Sequence, residues 1–289
     1  MADETITLAN GALSVEIATL GAELIRLTDI KGRDFLWSGD AAWWSGRAPL
    51  LFPMVGAALG NRIKVDGQYF PLPQHGFARR SQFEVVEAGG IRAQLRLGDS
   101  GATRAVYPFS FQLDVEFKLD DATLAIVATV SNPGAAELPF SFGYHPAFCW
   151  PLPGASGLHA VEFESTEAAP IHRPVDGGLL SRETYANPFA DGALEMAPAL
   201  FEGGALIFTD LKSRRVKFRG GAASVEVAFP EMPNFGLWTK PGAPFLCLEP
   251  WQGFSAPEGF DDEFAKRPGV VALAPGASRT FAITIAVSA

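Results

Sequence analysis

Between residues 111 and 120 the chain alternates strictly: Phe111, Leu113, Val115, Phe117 and Leu119 are apolar, and Gln112, Asp114, Glu116, Lys118 and Asp120 are polar or charged. Only a strand sends successive side chains to opposite faces, so this run predicts a half-buried β-strand. A second run, Leu124 to Ser131, follows Asp120-Asp121, and the pair predicts an antiparallel hairpin with a short acidic turn. The period of two returns at Val225, Val227 and Phe229, and again at Phe281, Ile283, Ile285 and Val287.

Shorter strand candidates are Leu13 to Ile17, Glu23 to Thr28, Ile91 to Leu97, Ala160 to Phe163, Ala205 to Thr209, Phe235 to Thr239 and Phe245 to Glu249, each bounded by Gly, Pro, Asn or Asp. Thirty glycines and 22 prolines are spread along the 289 residues and would break long helices, and no window carries a 3.6-residue apolar stripe. Asp261 to Lys266 is expected to form at most one helical turn. Many strands at short intervals without intervening helices predict an all-β, large antiparallel sandwich or a barrel-like relative of one. The Pro/Gly-rich stretch Pro151 to Gly157 is expected to be a long loop rather than a boundary, so residues 1–289 are expected to form a single domain.

Composition narrows the partners. The chain is 48% hydrophobic and 19% charged, enough apolar material for a large core. A net charge of −9 disfavours nucleic acid and anionic lipid surfaces. Asp3 and Glu4 stand where an export signal would need a basic start, and no stretch approaches the ~18 apolar residues of a spanning helix, so no membrane partner is expected. Cys149 and Cys247 are too few for a disulfide framework and lack metal-ligand spacing; a reducing cytoplasm fits them.

Four segments could carry chemistry. His75 lies in the non-periodic Leu72-Pro73-Gln74-His75-Gly76-Phe77-Ala78-Arg79-Arg80, and His145 among aromatics in Phe140-Ser141-Phe142-Gly143-Tyr144-His145-Pro146-Ala147-Phe148. His159 and His172 have no comparable setting. In Phe245 to Phe254 an apolar strand runs into Glu249-Pro250-Trp251. Such a glutamate either ends the strand at solvent or is held in a cleft, and in a cleft its pKa would rise toward that of a useful proton-transfer group. Trp251 offers a flat apolar face for the C–H side of a pyranose. Arg62, Arg79 and Arg47 could bind hydroxyls or an anion through their planar guanidinium donors.

In order along the chain, Gly60-Asn61-Arg62-Ile63, His75-Gly76-Phe77-Ala78-Arg79, Gly143-Tyr144-His145-Pro146-Ala147-Phe148 and Glu249-Pro250-Trp251 together resemble the aldose 1-epimerase (galactose mutarotase) superfamily. Gly39-Asp40 to Trp44, Ala48-Pro49 to Phe52-Pro53 and Tyr107-Pro108-Phe109 extend the resemblance. It implies a galactose mutarotase-like β-supersandwich and an isomerase that interconverts sugar anomers without a metal or organic cofactor. It further implies His145 as the general acid on the ring oxygen and Glu249 as the general base on the anomeric hydroxyl. His75 and Arg62 would bind the sugar, with Trp251 as a stacking face. The partner would be a small sugar, free or phosphorylated, and the protein a monomer or homodimer.

The match departs from the better-studied galactose mutarotases in two places. Arg62 and His75 are only 13 positions apart (75 − 62), so Arg79 shares or replaces the role of Arg62. The family's sugar-binding aspartate has no secure counterpart; only Glu202 and Asp210 flank the Gly203-Gly204-Ala205 stretch where it would fall. Competing readings are a carbohydrate-binding protein without turnover, a hexose-6-phosphate mutarotase using Arg79-Arg80 and Arg47, and a glycoside hydrolase, which would need a second carboxylate.

Overall fold

The computed structural model describes residues 4–189 and 192–288, and among these nearly all regular structure is β. The alternating run forms the strand Gln112–Asp120, paired in register with Thr123–Ser131 from Asp120↔Thr123 to Gln112↔Ser131. The turn sits one residue later than expected, at Asp121-Ala122, where Asp121 takes φ 46°, a left-handed conformation that Asp tolerates better than most residues. The hairpin lies within a nine-stranded antiparallel sheet. Its order is Ala193–Glu195, His159–Phe163, Arg215–Gly220, Ala223–Ala228, Ser278–Ser288, Thr123–Ser131, Gln112–Asp120, Arg92–Gly98 and Glu84–Gly89.

A second sheet orders Leu206–Phe208, Asn234–Trp238, Phe245–Gln252, Phe142–Tyr144 and Leu50–Leu51, with Ala147–Cys149 also paired to Phe245–Gln252. The two sheets pack face to face. Phe142 stacks on Phe281 at 5.2 Å between ring centroids, and the buried Tyr144 hydroxyl accepts from Ala128 N at 3.1 Å and donates to Phe281 O at 2.8 Å. A smaller sheet of Thr5–Ala9, Leu13–Ala18 and Glu23–Asp29 adds Leu8, Val15, Ile17, Leu24 and Leu27 to the same core.

Every strand candidate read from the sequence coincides with a strand to within one to three residues at either end. Other strands carry no such signal. Glu84–Gly89 is a mostly exposed edge with no apolar face, and Arg62–Val65 pairs with Gln68–Pro71 as a largely solvent-facing hairpin. The turn expected at Asp261 to Lys266 contracts to the 3₁₀ segment Phe264–Lys266, and Pro151 to Gly157 is loop.

Phe245–Gln252 is buried along almost its whole length, because both of its faces are covered. Leu246 and Leu248 enter the inter-sheet core, whereas Phe245, Cys247 and Trp251 belong to apolar clusters outside it. Glu249 shares that outer face by strand alternation. The sheet therefore shows its other side to a cavity.

Candidate active site

The cavity has a volume of about 330 Å³, within the range of small-molecule sites, and is lined by Trp44, His75, Arg79, His145, Trp238, Glu249 and Trp251 among others. Of the seven residues singled out from the sequence, five thus converge: His75, Arg79, His145, Glu249 and Trp251. Arg62 does not. It is exposed on the outlying hairpin, with its guanidinium carbon 3.9 Å from the Tyr69 ring centroid. Arg79 is the cavity's arginine; Arg47 instead donates to Ser38 O, and Arg80 is exposed.

Local backbone geometry sets each side chain. Phe142–Tyr144 pairs with Phe245–Gln252 through Gly143↔Trp251, and Ala147–Cys149 pairs with it through Ala147↔Cys247. His145 and Pro146 bridge these two short strands, which brings the imidazole alongside Glu249. His145 Nε2 lies 3.1 Å from Glu249 Oε2, with His145 7% and Glu249 2% exposed. Trp44 stacks on His145 at 4.9 Å between centroids and 30°, and Trp238 meets it edge-on at 5.8 Å.

His75 arrives from a separate loop in a left-handed conformation, φ 66°. Its N–H donates to Gly56 O, and Gly56 N–H donates back to His75 Nδ1 at 3.1 Å. With Nδ1 accepting, the neutral ring carries its proton on Nε2. Gly76, φ 69°, has no alternative residue: a Cβ there would lie 2.2 Å from Phe52 O. The His75 ring packs edge-on to His145 at 5.7 Å, and Arg79 is fixed by donation from Nη2 to Gln74 O at 2.9 Å.

Burial dominates the electrostatics. It pushes the Glu249 carboxyl well above the usual carboxylate range. It pulls the His145 imidazole down to about 3, with the Arg79 charge acting in the same direction. His75 is also held well below its usual value, first by burial and then by the charges of His145, Arg79 and Arg267. Both changes in the His145–Glu249 pair favour the form with neutral imidazole and protonated carboxyl, since an ion pair with so little solvent is costly to desolvate. The pair holds one transferable proton.

The remaining histidines have other tasks. His159 Nε2 accepts from Leu152 N at 3.1 Å and His172 Nδ1 lies 2.9 Å from Ser181 O, both outside the cavity. Neither Glu202 nor Asp210 lines the cavity; Gly204, Ala205 and Ile207 do, so that wall is apolar. Trp44, Trp238, Gln74 and Ser255 were not singled out from the sequence. The Trp43-Trp44 doublet in a loop rich in Gly and Ser was the one available sign of a partly exposed aromatic wall.

Comparison with known proteins shows the family and the fold. A family model described as aldose 1-epimerase matches residues 4–186. The chromosomal LacX protein of Lactococcus lactis subsp. lactis is 30% identical over 298 residues, spanning 97% of this chain and 99% of that protein. A galactose mutarotase-like protein from Lactobacillus casei superposes with a TM-score of 0.91 at 25% identity, over 99% of this chain and 100% of the other. A galactose mutarotase related enzyme from Lactobacillus acidophilus gives the same TM-score at 26% identity, over 99% and 98%. The fold is galactose mutarotase-like. Among the described residues no helix is long and apolar enough to cross a membrane.

Proposed function

The chain belongs to the aldose 1-epimerase family, and on that premise we propose that it interconverts the α and β anomers of an aldose by acid–base ring opening, with His145 and Glu249 as the proton-transfer pair. The observation that carries this reading is the 3.1 Å contact between His145 Nε2 and Glu249 Oε2 at the wall of a sugar-sized cavity.

Opening the ring requires the C1 hydroxyl to lose a proton while the ring oxygen gains one, so the C1–O5 bond breaks and an aldehyde forms. Those two oxygens share one carbon, and the acid and base must therefore be close neighbours, as this pair is. In the forward step Glu249 takes the hydroxyl proton and imidazolium His145 gives one to the ring oxygen, leaving protonated Glu249 and neutral His145. After rotation about C1–C2, the aldehyde oxygen takes the proton back from Glu249 as the C5 hydroxyl returns one to His145 and the ring closes on its other face. The pair ends as it began. The charge state that burial favours in the free site is the one reached on ring opening, so sugar hydroxyls must supply the solvation that restores carboxylate and imidazolium on binding.

The rest of the cavity supplies positioning. His75 Nε2–H and the Arg79 guanidinium donate to sugar oxygens, and Trp44, Trp238 and Trp251 provide aromatic faces. Arg79 also favours a second reading, a phosphorylated sugar: it lines the cavity with a buried Nε that has no hydrogen-bond partner among the described residues and with no ion-paired carboxylate. A binder without turnover has no need of a buried acid–base pair. The test is NMR exchange spectroscopy of anomer interconversion on a panel of free and phosphorylated aldoses, and absence of catalysed exchange on all of them would refute the proposal.

A further inference from the structure

The strand that carries Glu249 brings a third ligand-type side chain to the same place. Cys247, two residues earlier on the same strand face, is fully buried beside Trp37, Ala147 and Phe245, with Trp44 and Trp238 packed against the group. One donor atom each from His145, Cys247 and Glu249 lies within 4.8 Å of the others. The ring-opening chemistry above uses the imidazole and the carboxyl and leaves the thiol without a task.

We propose that His145, Cys247 and Glu249 form a chelating site for a borderline-soft divalent cation such as zinc or cadmium, reached from the cavity, and that its occupancy shuts down the proton-transfer pair. The chelation stands on the three side chains alone; the inhibition rests on the function proposed above.

One imidazole nitrogen, one thiolate sulfur and one carboxylate oxygen are the donor types that zinc and cadmium take, and the sulfur disfavours magnesium and calcium. The 3.1 Å between His145 Nε2 and Glu249 Oε2 suits a shared ion. With zinc bonds of about 2.0–2.1 Å to nitrogen and oxygen, that separation subtends roughly 100° at the metal, close to tetrahedral. A zinc–sulfur bond of about 2.3 Å then asks Cys247 Sγ to approach by on the order of 1 Å, within reach of a χ1 adjustment. Thiolate and carboxylate together neutralise the dication. Binding releases the thiol proton and the proton held by the pair to solvent, since a coordinated thiol is deprotonated. The Arg79 charge felt at His145 opposes the ion electrostatically, and the fourth coordination position would face the cavity that His145 and Glu249 line, where water completes the shell.

The experiment is a titration of EDTA-stripped protein with Cd²⁺, read by the thiolate-to-cadmium charge-transfer band in the ultraviolet. The expected result is a band that saturates at one equivalent in the wild type and in Cys149→Ser, and is lost in Cys247→Ser. Cys149 is the control because its Sγ is half-buried elsewhere, 3.2 Å from Leu36 O. Should Cys247→Ser fail to fold, His145→Asn serves in its place and is expected to weaken cadmium binding without removing the thiol. A band absent from the wild type, or one that survives in Cys247→Ser and vanishes in Cys149→Ser, overturns the site. Zn²⁺ is then added to the exchange assay: it should suppress the wild-type rate and leave Cys247→Ser at its own metal-free rate. A cadmium band with an exchange rate indifferent to zinc overturns the inhibition. A cadmium band in a protein that exchanges no sugar even without metal upholds the chelating site and removes the proposed function instead.

Discussion

His145 Nε2 and Glu249 Oε2 are 3.1 Å apart although 104 positions separate them in sequence (249 − 145), and among the described residues this imidazole is the one titratable group in ion-pair range of the Glu249 carboxyl. A carboxyl at 2% exposure with one neutral imidazole beside it is stable only while it is protonated or while something else solvates it. Burial thus favours the protonated carboxyl, and on the proposed function substrate hydroxyls would be part of the acid–base apparatus rather than its passive target.

The buried neutral imidazole has a thermodynamic signature. In the unfolded chain His145 titrates near 6.5, whereas in the folded protein it is held near 3. Between those values the unfolded state binds a proton that the native state does not, so the stabilising contribution is complete above pH 6.5 and is lost as pH falls toward 3. His75 acts in the same direction. Urea unfolding of the wild type and His145→Asn across pH 7 to 4 should show the wild type falling more steeply, by up to about 1.4 kcal/mol per pH unit for one proton. Parallel curves would mean that His145 is charged in the native state.

Trp251 depends on the absence of a side chain beneath it. A Cβ built on Gly236 would stand 2.4 Å from Trp251 Cη2. Gly236→Ala should therefore destabilise the protein by about 1–3 kcal/mol through overpacking and displace the indole from the cavity wall, weakening sugar binding. Gly11→Ala, where nothing lies within 4 Å, is the matched control and should melt close to wild type.

Arg79 provides a test of free against phosphorylated substrates. If its guanidinium pairs with a phosphate, the phosphorylated sugar should bind more tightly than the free one, the preference should shrink as salt rises, and Arg79→Met should abolish it. Equal affinity at low salt in calorimetric titration assigns Arg79 to hydroxyl binding.

The sequence disclosed the fold more fully than the site, for a physical reason. Gln112–Asp120 and Ser278–Ser288 each have one wet and one dry face, and that contrast is written directly into residue type. Phe245–Gln252 is dry on both faces, so its apolar run identified a buried strand but not the face on which Glu249 would lie. The convergence of His75, Arg79, His145 and Glu249 is tertiary: it depends on the Phe52↔Gly76 bridge and on the pairing of Gly143 with Trp251. Arg62 shows the limit of motif matching. Its motif resembles the family's, yet the hairpin it begins points its guanidinium at Tyr69, and the arginine at the cavity is Arg79. Trp44 is legible in sequence only as half of an aromatic doublet in a loop; that it stacks on His145, some hundred residues later, is a tertiary relationship with no local signature.

Substitution of the pair itself discriminates catalyst from binder. Glu249→Gln keeps the shape of the side chain, and its amide can donate to His145 Nε2, so the contact and the fold should persist. What is lost is the capacity to take up a proton. Exchange should fall on the order of 10²-fold or more, at least about 2.7 kcal/mol of transition-state stabilisation, while sugar affinity changes far less. His145→Asn should produce a similar loss by removing the group that serves the ring oxygen. Because both residues act on one proton-transfer sequence, removing either already disables it. The double variant should therefore be about as slow as the slower single variant, well short of the product of the two effects. Equilibrium exchange on the wild type, both single variants and the double, with thermal melts to verify folding, measures all four corners. Multiplicative losses would mean that the residues act independently, and a wild-type rate in Glu249→Gln would remove Glu249 from the mechanism.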